Sequence, residues 1–255
     1  MSAPCRFNSV WPYVAQNDAG GKPPVSHDAL LLIAHGSERY PDAVWGVERH
    51  AAALRAEGGF RQVAVAALNG APSVAGALAS IEAERVCVVP FFMEAGYFSN
   101  VAIPRAVAGD TRVRIARPVG VHPGIVGIVE RQALAGCSAI GVAPSDAAVL
   151  MVGHGSASNP GRPLALYDHA ADIRGFGRVE AACLEEAPFL ADVLRSLSGW
   201  PVLVSGFFAG DGMHVRDDVP AALAAFEGQA LFLGPVGADP AMLDIVRGHA
   251  MLALE

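Results

Sequence analysis

The sequence predicts a parallel α/β fold built twice within one chain, and three observations carry that reading. First, an apolar run ends in His-Gly-Ser twice, at residues 30–37 (LLLIAHGS) and 149–156 (VLMVGHGS). Second, strand-like apolar runs alternate with helix-like segments throughout, the pattern of a parallel sheet joined by right-handed crossovers. Third, landmarks recur at a held offset. Residues 67–72 lie over 183–188, Phe91-Phe92 over Phe207-Phe208, and Ile103-Pro104 over Val219-Pro220, each 116 residues on; the HGS motifs are 119 apart. An offset kept through three separate landmarks marks an internal duplication.

Taken in order, residues 29–34 read as a strand. Ser37 can cap a helix over 41–57, where Val44, Val47, Ala51 and Leu54 recur at helical spacing. A strand over 62–68, a helix over 72–82 and a strand over 85–92 (RVCVVPFF) follow. A short helix around Pro104, a strand over 112–116 and a helix from Pro123 to about residue 135 complete the first half. Residues 136–146 (GCSAIGVAPSD) are small and polar and read as the junction, giving halves of 28–142 and 146–255. The order then repeats: strand 147–153, helix 163–174, strand 179–184, helix 188–197 and strand 201–208. A Gly-rich loop (GDGMHVRDDVP) leads to a helix from Pro220, then a strand over 231–234 and a last helix from Pro240.

Composition fits this class. Of the 255 residues, 53% are hydrophobic and 17% charged, which suits strands covered by helices on both faces. A formal net charge of −7 argues against general nucleic-acid affinity, which needs a basic surface. No apolar run reaches the ~20 residues of a membrane helix. Residues 1–27 hold Gly20-Gly21 and Pro23-Pro24 without a continuous apolar core, and read as an irregular extension rather than a signal peptide. A cytoplasmic, non-membrane protein is expected. Cys5, Cys87, Cys137 and Cys183 form no C-x-x-C, so a zinc ribbon or a cysteine-held iron–sulfur cluster lacks support. Cys87 and Cys183 sit in apolar runs and are expected to be buried thiols.

Function is read from strand ends, because parallel sheets bind ligands at their carboxyl edge, near the point where strand order reverses. In the second half His154 ends the first strand, Glu185 ends the second, and His214 lies six residues past the third. With a flavodoxin-like order 2-1-3-4, these come from three adjacent strands, spaced ~4.8 Å apart, and can converge. Two imidazoles and a carboxylate suit divalent iron, cobalt, nickel or zinc. Singly, His154 is as often a hydrogen-bonded structural group, and Glu185 a solvated acid at a helix start; the combination favours function. The first half is an internal control. It keeps His35, but Asn69 stands where Glu185 would be and Phe98 where His214 would be. One site, in the second half, is the simplest reading.

HGS after the first strand, Leu184-Glu185 before a helix, and an F-F…G-x-H-V-x-x-D-V-P segment together resemble the class II tetrapyrrole chelatases. The similarity is greatest to the sirohydrochlorin cobalt and iron chelatases of cobalamin and sirohaem biosynthesis. It covers residues from about 28 onward and is strongest over 149–220. The resemblance implies a chelatase-like four-stranded parallel sheet with flanking helices in each half. It also implies ATP-independent insertion of cobalt or iron (nickel being possible) into a sirohydrochlorin-like ring. The metal-holding and catalytic residues would then be His154, His214 and Glu185. The tetrapyrrole is polycarboxylated, so basic or polar groups should meet its rim. Arg216, Ser156 and His35 are candidate substrate contacts, although a solvated loop arginine is an equally good account of Arg216. No G-x-x-x-x-G-K-[ST] loop is present, so no nucleotide is expected. A monomer is expected, since duplication can build within one chain what a half-length relative makes by dimerising. The competing reading is a non-catalytic tetrapyrrole or metal carrier on the same fold. A serine hydrolase is disfavoured because Gly153-His154-Gly155-Ser156 is not the G-x-S-x-G elbow.

Overall fold

The computed structural model describes residues 27–37, 44–156 and 164–254. The N-terminal extension, Cys5 and the starts of the helices expected over 41–57 and 163–174 lie outside the described residues. Two four-stranded, all-parallel sheets are present. The first holds β1 (Ala29–Ala34), β2 (Gln62–Ala67), β3 (Val86–Pro90) and β4 (Val113–Ile115) in the order β2-β1-β3-β4. The second holds β5 (Ala148–Gly153), β6 (Arg178–Cys183), β7 (Val202–Gly206) and β8 (Ala230–Pro235) in the order β6-β5-β7-β8. Both follow the expected flavodoxin-like order. The two inner strands β1 and β5 are buried along their whole length, which is why they read as unbroken apolar runs rather than alternating ones. Their registers correspond: Leu30 pairs with Val63 and Cys87, and Val149 with Val179 and Leu203.

The helices are α1 (Trp45–Glu57), α2 (Val74–Ala79), α3 (Ile103–Ala106), α4 (Gly124–Ile140), α5 (Leu164–Asp172), α6 (Leu190–Ser196), α7 (Val219–Ala224) and α8 (Met242–Leu254). On the outer faces, separate apolar clusters form under α2 and α3 on one sheet and under α6 and α7 on the other. The inner faces behave differently. Helix α1 lies on β1 and β2, and α5 on β5 and β6, each on its own sheet. The last helix of each half crosses over: α4 packs on β7 and β8, and α8 on β3 and β4. A single core therefore runs through both halves, joining Leu32, Leu54 and Ile125 to Met151, Leu166 and Val246. Fully burying each such side chain stabilises the fold by roughly 1.5–3 kcal/mol. The inner faces of both sheets are thus covered by helices.

This crossing corrects the junction read from sequence. Residues 136–140 belong to α4, which ends at Gly141 in the left-handed conformation (φ 71°), a common helix stop. Gly136 is small because α4 lies close on the second sheet. A Cβ there would sit 2.8 Å from Leu233 and 3.0 Å from Leu203. What looks like linker composition is close helix–sheet packing.

Two buried histidines stitch the halves reciprocally. His50 of α1 donates from Nε2 to the Gly237 carbonyl at 2.7 Å, and His169 of α5 donates from Nε2 to the Gly120 carbonyl at 2.7 Å. Both glycines sit in Pro-Val-Gly turns where a side chain has no room: a Cβ would fall 2.1 Å from the Met93 carbonyl oxygen and 2.4 Å from that of Ala209. Burial lowers the pKa of both histidines below the usual imidazole value, which keeps them neutral donors. Next to these turns the halves diverge. Asp239 accepts from Gln132 (3.0 Å) and pairs with Arg131 (2.7 Å). At the equivalent place His122 and His249 meet edge to face, 5.0 Å between ring centres.

Candidate metal centre

Strand β5 stops at Gly153, and the chain turns sharply through Gly155 (φ 73°). A Cβ on Gly155 would lie 2.9 Å from that of Cys183, so the HGS turn needs glycine both for its conformation and for its close approach to the neighbouring strand end. The turn lets the His154 Nδ1–H donate to the Gly155 carbonyl at 2.7 Å. That assigns the tautomer and leaves Nε2 as the lone-pair nitrogen. The ladder continues past β6: Leu184 N–H donates to Gly153 O (3.0 Å) and Glu185 N–H to His154 O (2.9 Å). This pairing puts the Glu185 carboxylate 3.6 Å from His154 Nε2.

The third group arrives on an element different from the Gly-rich loop expected. His214 begins a π-helical turn, His214–Asp218, that runs directly into α7. Single π turns recur at functional sites; here the turn aims the ring across β5. The His214 ring meets His154 edge to face at 4.4 Å and stacks on Phe208 at 6.2 Å. Its Nδ1 donates to Asp218 Oδ2 at 2.5 Å, leaving Nε2 open. One ligand atom each from His154, Glu185 and His214 lies within 4.8 Å of the others. Among the described residues this is the one cluster of three or more such groups able to hold a metal ion. Two imidazole nitrogens and one carboxylate would leave coordination positions free on an ion, the arrangement of an exchanging rather than a closed site. The side chains are partly solvated, 49% exposed for His154, 44% for Glu185 and 26% for His214, so an ion can reach them.

Asp218 was quoted in the sequence motif but given no role there. Its signal was present, since histidine and aspartate four apart face one another on a helical turn; reading the segment as loop hid it. A carboxylate on the remote imidazole nitrogen orients a metal-binding histidine and raises its basicity. The remaining sequence candidates are more peripheral. Ser156 is half-buried two residues beyond His154, and Arg216 is exposed within the π turn. His35 lies in the other half: its Nδ1–H donates to Gly36 O (2.9 Å) and its ring meets Phe98 at 4.5 Å.

Fold and site together define a class: a duplicated parallel α/β protein with an open imidazole–carboxylate cluster, able to hold a metal ion, at one sheet edge. The chain belongs to the CbiX family, whose model matches residues 29–135 and 148–250. It is 27% identical over 266 residues to a Halobacterium salinarum protein named "Probable sirohydrochlorin cobaltochelatase", covering 87% of this chain and 90% of that one. Its fold resembles that of CbiX, described as the terminal enzyme of sirohaem biosynthesis in denitrifying bacteria (TM-score 0.70, 26% identity, 89% of this chain and 99% of that one). It also resembles a multi-domain Deinococcus radiodurans protein with structural similarity to chelatases (TM-score 0.74, 26% identity, 90% of this chain). This chain spans 55% of that larger protein.

Proposed function

We propose that this chain inserts a divalent cation, cobalt or iron, into sirohydrochlorin without using a nucleotide, at a site built from His154, Glu185 and His214 of the second half. The observation that carries the reading is the pair of imidazoles whose Nδ1–H groups are both engaged, on Gly155 O and Asp218, so that both Nε2 lone pairs are offered beside one carboxylate. Family membership and the named relatives supply the macrocycle. The cation is substrate: held by three groups, it keeps positions for ring nitrogens. As it passes to the ring, His154 and Glu185 are released as bases at the moment two pyrrole N–H protons must leave. The protons lost by the ring are thus taken up by groups that have just lost the ion.

In this reading residues 28–142 form a degenerate half and 146–255 the active half, with residues 1–27 an extension. His35, Ser156 and Arg216 meet the substrate's edge. The duplicated chain works as a monomer, in the cytoplasm. Among the described residues no helix is long and apolar enough to cross a membrane. The test is an anaerobic absorbance assay of sirohydrochlorin with Co²⁺, Fe²⁺ and Ni²⁺ in turn. A metal-dependent shift of the macrocycle spectrum, faster than without protein, is expected. Stoichiometric metal binding with no such acceleration overturns insertion and leaves a carrier.

A further inference from the structure

The first half's counterpart of the metal site has kept its shape and changed its chemistry. Phe98 opens the π-helical turn Phe98–Ala102, as His214 opens its own. It stacks on Phe92 (6.0 Å, 18° between ring planes) as His214 stacks on Phe208 (6.2 Å, 22°). It meets His35 edge to face (4.5 Å, 82°) as His214 meets His154 (4.4 Å, 86°). Tyr97 extends the cluster, 5.7 Å from Phe98. These rings are not core: Tyr97 is 61% exposed and Phe98 38%. Adjacent exposed rings at a strand end, where ligands of parallel sheets bind, mark a candidate binding surface.

The segment carrying the rings is pinned. The buried Ser99 hydroxyl accepts from Gly96 N–H at 3.0 Å, and Asn100 N–H donates to Gly96 O at 2.9 Å. Four residues before Phe98, Glu94 reaches into the other half and accepts from the Ala165 and Leu166 amides at the start of α5 (3.1 and 3.0 Å). Helix α5 is the one that follows the His154 turn, so the aromatic loop is tied to the active half's strand-end region. On the opposite side Arg49 of α1 pairs with Asp211 of the loop before His214 (3.1 Å). Through these two crossings, the loops that follow β3 and β7 each touch the helix that follows the first strand of the other half.

We infer that the vacated site of the first half is a binding surface for the flat face of the tetrapyrrole, with Tyr97 and Phe98 as its contact residues. The inference rests on the chelatase reading above and adds to it the place where the ring lies. A conjugated macrocycle offers a broad apolar face, which aromatic side chains recognise by stacked and edge contacts. Its charged periphery can remain in water while its nitrogens turn toward His154 and His214. Because the rings are held before substrate arrives, little ordering opposes binding.

The test is titration of metal-free sirohydrochlorin into wild type, Tyr97→Ala/Phe98→Ala and Tyr97→Phe, followed by absorbance. Co²⁺ affinity and thermal melts are measured in parallel. The double alanine variant should bind sirohydrochlorin about tenfold more weakly, which about 1.4 kcal/mol produces, with Co²⁺ affinity unchanged; Tyr97→Phe should bind as wild type does. Unchanged sirohydrochlorin affinity in the folded double variant overturns the proposal, as does an equal loss of Co²⁺ affinity. If wild type binds no sirohydrochlorin while still binding Co²⁺, the chelatase reading itself has failed.

Discussion

The two halves of this molecule share strand order, registers and turn geometry, yet among the described residues only one carries a cluster able to hold a metal ion. At the strand ends the difference comes down to three exchanges: Glu185 against Asn69, His214 against Phe98, and Asp218 against Ala102. The backbone frame is indifferent to them. Asn69 N–H donates to His35 O at the same 2.9 Å as Glu185 N–H to His154 O. Each HGS turn uses a left-handed glycine, Gly36 at φ 69° and Gly155 at φ 73°. HGS is therefore a device for turning a strand end tightly against its neighbour. The chemistry is supplied by what the neighbouring strands bring to that turn.

The comparison breaks most sharply at the histidines. His154→Ala or His214→Ala should remove nearly all insertion activity, since each deletes a ligand from a site with three. His35→Ala, whose ring contacts are Phe92 and Phe98, should keep most of it. Initial insertion rates on variants checked by melting settle the matter; a folded His35→Ala as inactive as His154→Ala would mean that the one-site assignment is wrong. Next in size is Asp218→Asn, which removes the carboxylate holding His214 Nδ1. It should cost roughly 10–100-fold in metal affinity, the usual consequence of losing such a partner, and Co²⁺ titration reads it directly.

A third contrast concerns acid. Burial, with His122 and Arg117 nearby, lowers the pKa of His249 to about 4, and burial also lowers those of His50, His122 and His169. An unfolded chain takes up these protons near pH 6.5, before the folded one does. Stability is therefore complete above that pH and falls as pH drops toward 4, by roughly 3 kcal/mol for His249 alone. Thermal melts should show an acid limb between those values. His122→Asp/His249→Gln, which copies the Asp239–Gln132 pair of the other half, should make it shallower, with His50 and His169 accounting for what remains; a limb of the same depth would exclude His122 and His249 as a source. The smallest contrast lies at the two crossing contacts. Glu94→Ala strips two helix-start amides of their acceptor and should cost about 1–2 kcal/mol in denaturant unfolding. Arg49→Ala breaks an exposed pair, 63% and 42% exposed, and should cost less than ~1 kcal/mol. Equal losses would show that the crossings are interchangeable.

Much of this was readable in the residues. The duplication was visible because equal offsets survive sequence drift wherever prolines and paired phenylalanines mark element ends. The two imidazoles and the carboxylate were visible because strand ends are predictable when apolar runs are unbroken. The exchange of α4 and α8 was not, because helical periodicity tells which face of a helix is apolar and never which sheet will cover it. That is also why residues 136–140 read as linker. His50 and His169 gave no signal, since a histidine on an apolar helix face looks alike whether or not a distant carbonyl awaits it.

The exchanged helices also govern the order in which the molecule can be made. When the first half has left the ribosome, α4 is present but the sheet it covers has not been synthesised. The inner side of β3 and β4 meanwhile stays uncovered until α8 follows the whole of the second half. Neither sheet can close on its own product as it emerges. The core shared by both halves can therefore be complete only once α8 has been made, so the two halves are expected to reach their final packing together.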